Sequence, residues 1–446
     1  MGEFLLPLAM IAALIAGIFS GYPVMLVLAG IGIVFTYIGD VPMVFLNTVS
    51  ARIFTGTLTN WLMLAVPLFV FMGLMLEKSE IARNLLLSIE RMFAGRPGGL
   101  ALAVTLVGTI MAAATGIVGA SIVMLGVMAL PVMLRNNYSM SLAAGTICSS
   151  GTLGILIPPS IMLVLVGDIL SISVGDLFMA AVFPGLLLAG FYVVYILVVT
   201  TIWPETAPPV RPEDRPPHDG PLWAEVARNL LAPLFLIICV LGSIIAGIAT
   251  PTEAAAIGAL GSMLLALVIG KLTMAKFIEC LRETTLTTAM ILGVAVGATV
   301  FSAVFKRLEG DTMIAEAVFS VASGPYETLF LIMALIFVLG FFLEWIEISF
   351  VVLPLFAPII ATLDYGFAQS GTALVWFAVL VAVNLQTSFL TPPFGYALFY
   401  LRGIAPPEMG IGPIYRGIIP FVLIQLVGLL LCIFFPQIVL WMPGLD

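Results

Sequence analysis

The chain is short of charge, of histidine and of paired cysteine. Lys, Arg, Asp and Glu make up 9% of its 446 residues, where a soluble domain has roughly 25%. Too few polar side chains remain to cover a water-exposed surface, so the lipid bilayer is the solvent for most of the chain. The single histidine, His218, lies in a proline-rich stretch, which excludes HExxH zinc proteases and most histidine chemistry. Cys148, Cys239, Cys280 and Cys432 are far apart and form no CxxC pair; they read as small core residues. A formal charge of −8 without a basic patch excludes nucleic acid as a partner. The opening stretch Phe4 to Ser20 lacks a basic n-region and an A-x-A site, so it reads as a retained first helix and not as a signal peptide.

What is present is apolar sequence, 62% of the chain, enough for roughly a dozen crossings at about 20 residues each. Uncharged runs begin at 4–20 and recur as far as 417–436. Two of them, 98–134 and 326–361, are too long for one straight crossing. Each has a polar or glycine-rich middle, Thr115-Gly116-Ile117-Val118-Gly119-Ala120-Ser121 and Glu344-Trp345-Ile346-Glu347. A re-entrant hairpin fits both, because non-helical backbone at membrane depth survives only where protein or a cavity covers it. If both are hairpins, the loops at 77–97, 135–138, 204–228, 271–283 and 402–416 share one side. They hold 13 of the 16 Lys and Arg, so the positive-inside rule makes that side cytoplasmic and puts both termini outside. Lys306 and Arg307 fall opposite, and Arg52 lies in an ambiguous stretch. Segments 79–93 and 310–321 follow a helical period with charges between, as interfacial helices do. The loop 204–228 carries seven prolines and reads as a linker between two halves.

The halves match in order: a span, an interfacial helix, a hairpin, then a span broken by a proline pair. The first break is Ser149-Ser150-Gly151-Thr152-Leu153-Gly154-Ile155-Leu156-Ile157-Pro158-Pro159-Ser160, and the second is Asn384-Leu385-Gln386-Thr387-Ser388-Phe389-Leu390-Thr391-Pro392-Pro393-Phe394. With one hairpin entering from each side this is an inverted repeat, the arrangement that places substrate and ion among interrupted helices in secondary transporters. A proline pair removes two amide donors and frees carbonyls four residues earlier. Such carbonyls, with oxygens of Ser150, Thr152, Asn384, Gln386, Thr387, Ser388 and Thr391, suit a hard cation such as sodium near Thr152 and Thr387. The half-helix beyond each break offers amides and a positive dipole end to an anion. The bland reading of a single break is a kink; the pairing at matched positions favours a site. Gly116 and Gly119 are hairpin-tip residues with Thr115 and Ser121 as ligands, or helix-packing glycines. Glu344 and Glu347, on one helical face, are ligands or caps of freed amides. Asp176 reads as a helix N-cap, and Asp168 stays open. No nucleophile with a base, GxGD pair or metal triad is present, so no enzyme is expected.

At these residues the chain resembles the large membrane subunit of the tripartite ATP-independent periplasmic (TRAP) transporters, the DctM-like family. The resemblance covers nearly the whole chain and is strongest at Gly151 to Ser160, at Leu177-Phe178 with Phe183-Pro184-Gly185, and at Thr391-Pro392-Pro393-Phe394-Gly395. It implies an all-α polytopic membrane protein, an inverted-repeat elevator-type transporter with two re-entrant helical hairpins and two broken transmembrane helices. It also implies sodium ions as coupling ions with no other cofactor, a periplasmic substrate-binding protein (DctP-like), and a small four-helix membrane subunit (DctQ-like). The implied substrate is a small organic acid anion, and a stand-alone sodium–dicarboxylate carrier is the alternative. The expected division is scaffold at 1–97, transport domain at 98–171, scaffold with the linker 204–228 at 172–325, transport domain at 326–405 and a C-terminal scaffold helix at 406–446. The acidic tip Phe342-Leu343-Glu344-Trp345-Ile346-Glu347 and the approach Asn384 to Ser388 depart from the family pattern and suggest a branch distinct from sialic-acid carriers.

Overall fold

The computed structural model describes residues 4–93, 95–210, 222–369, 371–393 and 395–445, and among these no strand forms. The linker segment 211–221 with His218, Phe394, and the side chain of Thr115 lie outside the described residues. Nine helices among them are long and apolar enough to cross a membrane. The first half comprises α1 (Leu5–Phe19), α2 (Val24–Ile38), α3 (Val44–Ile53), α4 (Ala65–Lys78), α5 (Ile81–Phe93), α6 (Gly99–Thr115), α7 (Val118–Arg135), α8 (Met140–Thr152), α9 (Ile161–Ile169) and α10 (Val174–Ile202). The second comprises α11 (Leu222–Ile245), α12 (Pro251–Val268), α13 (Met274–Arg307), α14 (Gly310–Val321), α15 (Pro325–Leu339), α16 (Trp345–Glu347), α17 (Leu353–Thr362), α18 (Thr372–Leu390), α19 (Tyr396–Ile404) and α20 (Ile411–Phe434).

Both long apolar runs are hairpins. At the base of the first, the Tyr138 hydroxyl accepts from the Leu100 amide at 3.2 Å. The Gly98 amide donates to Ala207 O at 2.8 Å and the Ser139 amide to Thr206 O at 2.7 Å. The two legs therefore start and finish together. The second hairpin closes likewise, with the Tyr365 hydroxyl donating to Pro325 O at 3.3 Å and the Tyr326 and Tyr365 rings edge to face.

The hairpins enter from opposite ends, as α20 makes plain. Its Gly417 backbone lies against Ser141 at the start of α8, where a Cβ would overlap the Ser141 carbonyl. Its Cys432 carbonyl accepts from Trp376 Nε1, near the start of α18, at 2.9 Å. From residue 417 to 432 a helix rises about 22 Å at ~1.5 Å per residue, so α8 and α18 start far apart and run inward from opposite sides.

Four of the five basic loops meet at one end. Lys78 pairs with Glu279 and Glu283 at 2.8 and 3.0 Å, Lys271 and Lys276 pair with Glu80 at 2.8 and 3.4 Å, and Arg91 pairs with Glu225. Together with the bonds of Gly98 and Ser139, these pairs join the loops at 77–97, 135–138, 204–228 and 271–283. Surface pairs of this kind, from half-buried to exposed, stabilise by only about 0–1 kcal/mol; their value here is to fix which ends face the same way. α14 meets α15 at 119°, so it lies across the direction of the spans, as an interfacial helix should. Away from the hairpins, α2 packs along α13, α12 along α4, and α11 along α12 and α5. α20 packs along α8 and α18, with α10 beside it.

Candidate functional site at the two helix breaks

The sequence leaves α8 and α18 no way to continue. α8 ends at Thr152 in a short 3-10 turn, Leu153–Ile155, and the next helical residue is Ile161. Pro158 and Pro159 cannot return amides to Gly154 and Ile155; the Ile155 carbonyl accepts from Ser160 Oγ at 2.8 Å instead. In the second half Pro392 and Pro393 deny amides to Ser388 and Phe389. The Ser388 carbonyl accepts from the Thr391 amide at 3.1 Å. Both Pro–Pro bonds are cis. The chain re-enters α19 through Gly395 at φ +52°, a left-handed conformation that glycine adopts without strain.

Each hairpin tip abuts its own break. Gly116, at φ +62°, forms the first tip with Ile117, and a Cβ there would lie 3.4 Å from the Ile161 amide, the first residue of α9. At the second tip, Tyr396, the first residue of α19, donates its hydroxyl to Phe342 O at 2.8 Å. The glycine before that tip, Gly340, lies against Ser388. The repeats also interlock. A Cβ on Gly119 would lie 2.6 Å from the Tyr400 ring of α19, so this glycine packs tightly against the other repeat. In the first half, α9 packs on the π-helical turn Ile348–Val352 of the second hairpin, and α18 touches both α8 and α9.

Within this junction the hydroxyls keep their lone pairs. Thr152 Oγ1 donates to Ser149 O at 2.9 Å, Thr387 Oγ1 to Val383 O at 3.2 Å, Ser388 Oγ to Leu385 O at 2.9 Å and Thr391 Oγ1 to Thr387 O at 2.7 Å. A hydroxyl that donates to its own helix still presents an acceptor oxygen outward. Ser150 Oγ reaches Thr105 Oγ1 at 3.5 Å, which ties the first break to α6. Ser121, Gly151 and Gly154 are buried, and Gly151 is in contact with Ile122 of α7. Asn384 Nδ2 donates to Met333 O on α15 at 2.8 Å, a bond that fixes helix to hairpin. Gln386 is fully buried, and neither its Oε1 nor its Nε2 has a partner among the described residues. Leaving such an amide unpaired costs about 1–3 kcal/mol for each group, so it marks a place where a ligand would be stabilised.

At the acidic tip the two carboxylates differ: Glu347 accepts from the backbone amides of Glu344 and Glu347, as a cap of freed amides does. Glu344 occupies the N-cap position of α16, yet its side chain makes no capping bond. Glu347 is buried, and its Oε2 has no partner among the described residues. Tyr396 and Tyr400 of α19 are within electrostatic reach of Glu344. At the far end of the first broken span, Asp176 is not the N-cap: Ser173 Oγ accepts from the Asp176 amide at 3.2 Å, which makes Ser173 the cap and Asp176 the third helical residue. Serine at this place satisfies an orphan amide that a carboxylate three residues later cannot. Asp168 Oδ1 accepts from Asn60 Nδ2 at 2.8 Å, a contact that sequence reasoning missed because 108 residues separate the partners. No group of three or more His, Cys, Asp or Glu gathers among the described residues.

The chain is similar to known proteins along nearly its whole length. The profile of the tripartite ATP-independent periplasmic transporter DctM component matches residues 11–438. The C4-dicarboxylate TRAP transporter large permease protein DctM of Pseudomonas aeruginosa is 31% identical over 389 residues, 87% of either chain. The isethionate TRAP transporter permease protein DctMQ of Oleidesulfovibrio alaskensis is 29% identical over 88% of this chain and 60% of that one. Among solved structures, the Alcanivorax borkumensis YdaH transporter superposes with a TM-score of 0.62 at 15% identity, covering 89% of this chain and 88% of the other; this likeness concerns the fold alone. With two hairpins, two proline-pair breaks and a profile match from residue 11 to 438, the chain belongs to the DctM family, the large permease components of TRAP transporters.

Proposed function

We propose that this permease carries a small organic acid anion across the bacterial inner membrane, driven by sodium, with both termini on the periplasmic side. The observation that supports this most is the junction itself: each hairpin tip abuts a broken helix, and Gln386, on α18 six residues before its proline pair, is buried with no partner among the described residues. In this reading sodium is held at each break by carbonyl and hydroxyl oxygens near Thr152 and Thr387, and the amide ends of α9 and α19 face the anion. C4-dicarboxylates and isethionate, named for two relatives, share a short carbon chain with an oxyanion. A periplasmic binding protein delivers the substrate, and a small four-helix subunit enlarges the scaffold; the Oleidesulfovibrio alaskensis relative is a DctMQ permease.

Transport follows an elevator motion of the hairpins and broken helices against a scaffold built on α2, α4, α12 and α13. The tight crossing of α20 on α8 at Gly145 and Gly417 supports a larger moving body, in which α10 and α20 travel with the broken helices. Proteoliposomes holding the complete system, with labelled succinate or isethionate, test the reading. Uptake should require the binding protein and an inward sodium gradient. Uptake without sodium would remove the coupling, and uptake without the binding protein would favour a stand-alone carrier.

A further inference from the structure

Three of the 16 basic side chains lie away from the linker end, Arg52, Lys306 and Arg307. Two of them converge: Arg52 and Lys306 line one cavity of about 230 Å³, together with Thr57, Asp168, Thr299 and Ser302. One wall, from the turn after α3 and the end of α13, belongs to the scaffold side. The facing wall brings Phe350 and Pro354 of the second hairpin and the end of α9. Neither cation forms an ion pair among the described residues. The one acid in the cavity, Asp168, already accepts from Asn60. Ser302 Oγ has no partner among the described residues, and Thr299 Oγ1 donates to Ala295 O at 2.8 Å, so its oxygen remains an acceptor.

We propose that this cavity is an entry site for a small organic oxyanion, in which Arg52 and Lys306 together face the oxyanion and Ser302 donates a hydrogen bond. The reading rests on the anion transport proposed above. The attraction of a helix end fades within about one turn, so the breaks cannot draw an anion in from the surface, whereas formal charges in a low-dielectric cleft focus the field over longer range. Arg52 and Lys306 stand on the scaffold side, so they would release the anion when α9 and the second hairpin move.

The test uses Ser302→Cys in the full chain, reconstituted in phosphatidylcholine vesicles, with the parent chain as blank for the native cysteines. Rates of modification by anionic, cationic and neutral methanethiosulfonates are measured from each side. The anionic-to-cationic rate ratio should fall at least tenfold in Arg52→Gln/Lys306→Gln and much less in Arg307→Gln, while the neutral reagent, which reports an intact cavity, reacts at an unchanged rate. Millimolar succinate or isethionate should slow the anionic reagent. An unchanged ratio in the double variant, with the neutral rate preserved, overturns the proposal. So does protection seen only with phosphatidylglycerol vesicles, which would make the cavity a headgroup site. Reaction from the linker side alone would overturn the topology of the transport reading, and the entry role with it.

Discussion

The hydrogen bond from Asn60 Nδ2 to Asp168 Oδ1, 2.8 Å long, joins the loop before α4 to the end of α9. If α9 moves and α4 stays, this bond exists in one state only. A hydrogen bond to a charged group stabilises by about 1.5–3 kcal/mol; the pair is half-buried, so the lower figure applies. About 1.5 kcal/mol corresponds to roughly a tenfold shift in the ratio of the two populations. Asp168→Ala should therefore move the equilibrium roughly tenfold toward the state in which α9 has left the Asn60 end. Asp168→Asn keeps an acceptor of the same shape and loses only the charge, about 0.5 kcal/mol, so a shift of roughly twofold is expected. Asn60→Ala is less clean, because Asn60 Oδ1 also accepts from the Leu62 amide at 2.9 Å. Added to Asp168→Ala, it should nevertheless bring no further shift, since the bond is already gone. The populations are read from modification of Ile169→Cys by impermeant reagents applied to either side of oriented vesicles. A ratio unchanged within twofold in Asp168→Ala would mean that α9 and Asn60 belong to one rigid body, and the proposed boundary between the moving parts would be wrong.

Ala-Ala at Pro158-Pro159 or Pro392-Pro393 should let the span wind through its break, since each proline disfavours a helix by about 3 kcal/mol relative to alanine. Thermal unfolding should come no earlier, yet sodium-driven uptake should be lost; survival of uptake at either pair would show that break to be a kink. Gly417→Leu forces a side chain onto the Ser141 carbonyl and should destabilise by about 1–3 kcal/mol, seen as a lower Tm, whereas Gly30→Leu, with open space around it, should leave the Tm in place. In the amphipathic helix α5, burial raises Glu90 from 4.5 to about 7, so folding resists its ionisation and stability declines as pH rises from about 4.5 through 7. Glu90→Gln should match the parent below pH 4.5 and exceed it above pH 7, by up to about 3 kcal/mol; an equal gain at both ends of a Tm series would exclude the charge as its cause.

The hairpins and breaks were legible because glycine and proline punctuate the backbone locally. Gly116 and Pro158-Pro159 announce themselves whatever surrounds them. Contacts between distant segments were not legible: nothing in Asn60 or Asp168 names the other, and the crossing of Gly145 on Gly417 is invisible in two uncharged runs. Asn384 shows a subtler gap, since a buried amide beside a break reads equally as a ligand and as the hairpin tie that it forms to Met333. The stretch 44–58 was passed over because Asn47, Arg52 and three threonines interrupt its apolar residues, although it forms α3 and a wall of the Arg52 cavity.

That wall ends in a π-helical turn, Phe54–Leu58, in which the Thr59 amide reaches back five residues to Phe54 O at 2.9 Å. The second hairpin carries another, Ile348–Val352, and both turns border the same cavity through Thr57 and Phe350. A π turn accommodates one surplus residue within an otherwise α-helical path. Deleting a residue elsewhere in a span turns everything beyond it by about 100° and presents the wrong face to its neighbours. At these two places the loss of a single residue would close the turn to α-helix and leave both flanks in register. The chain thus has two points at which its length can change by one without scrambling the packing, and both lie on facing walls of one cavity.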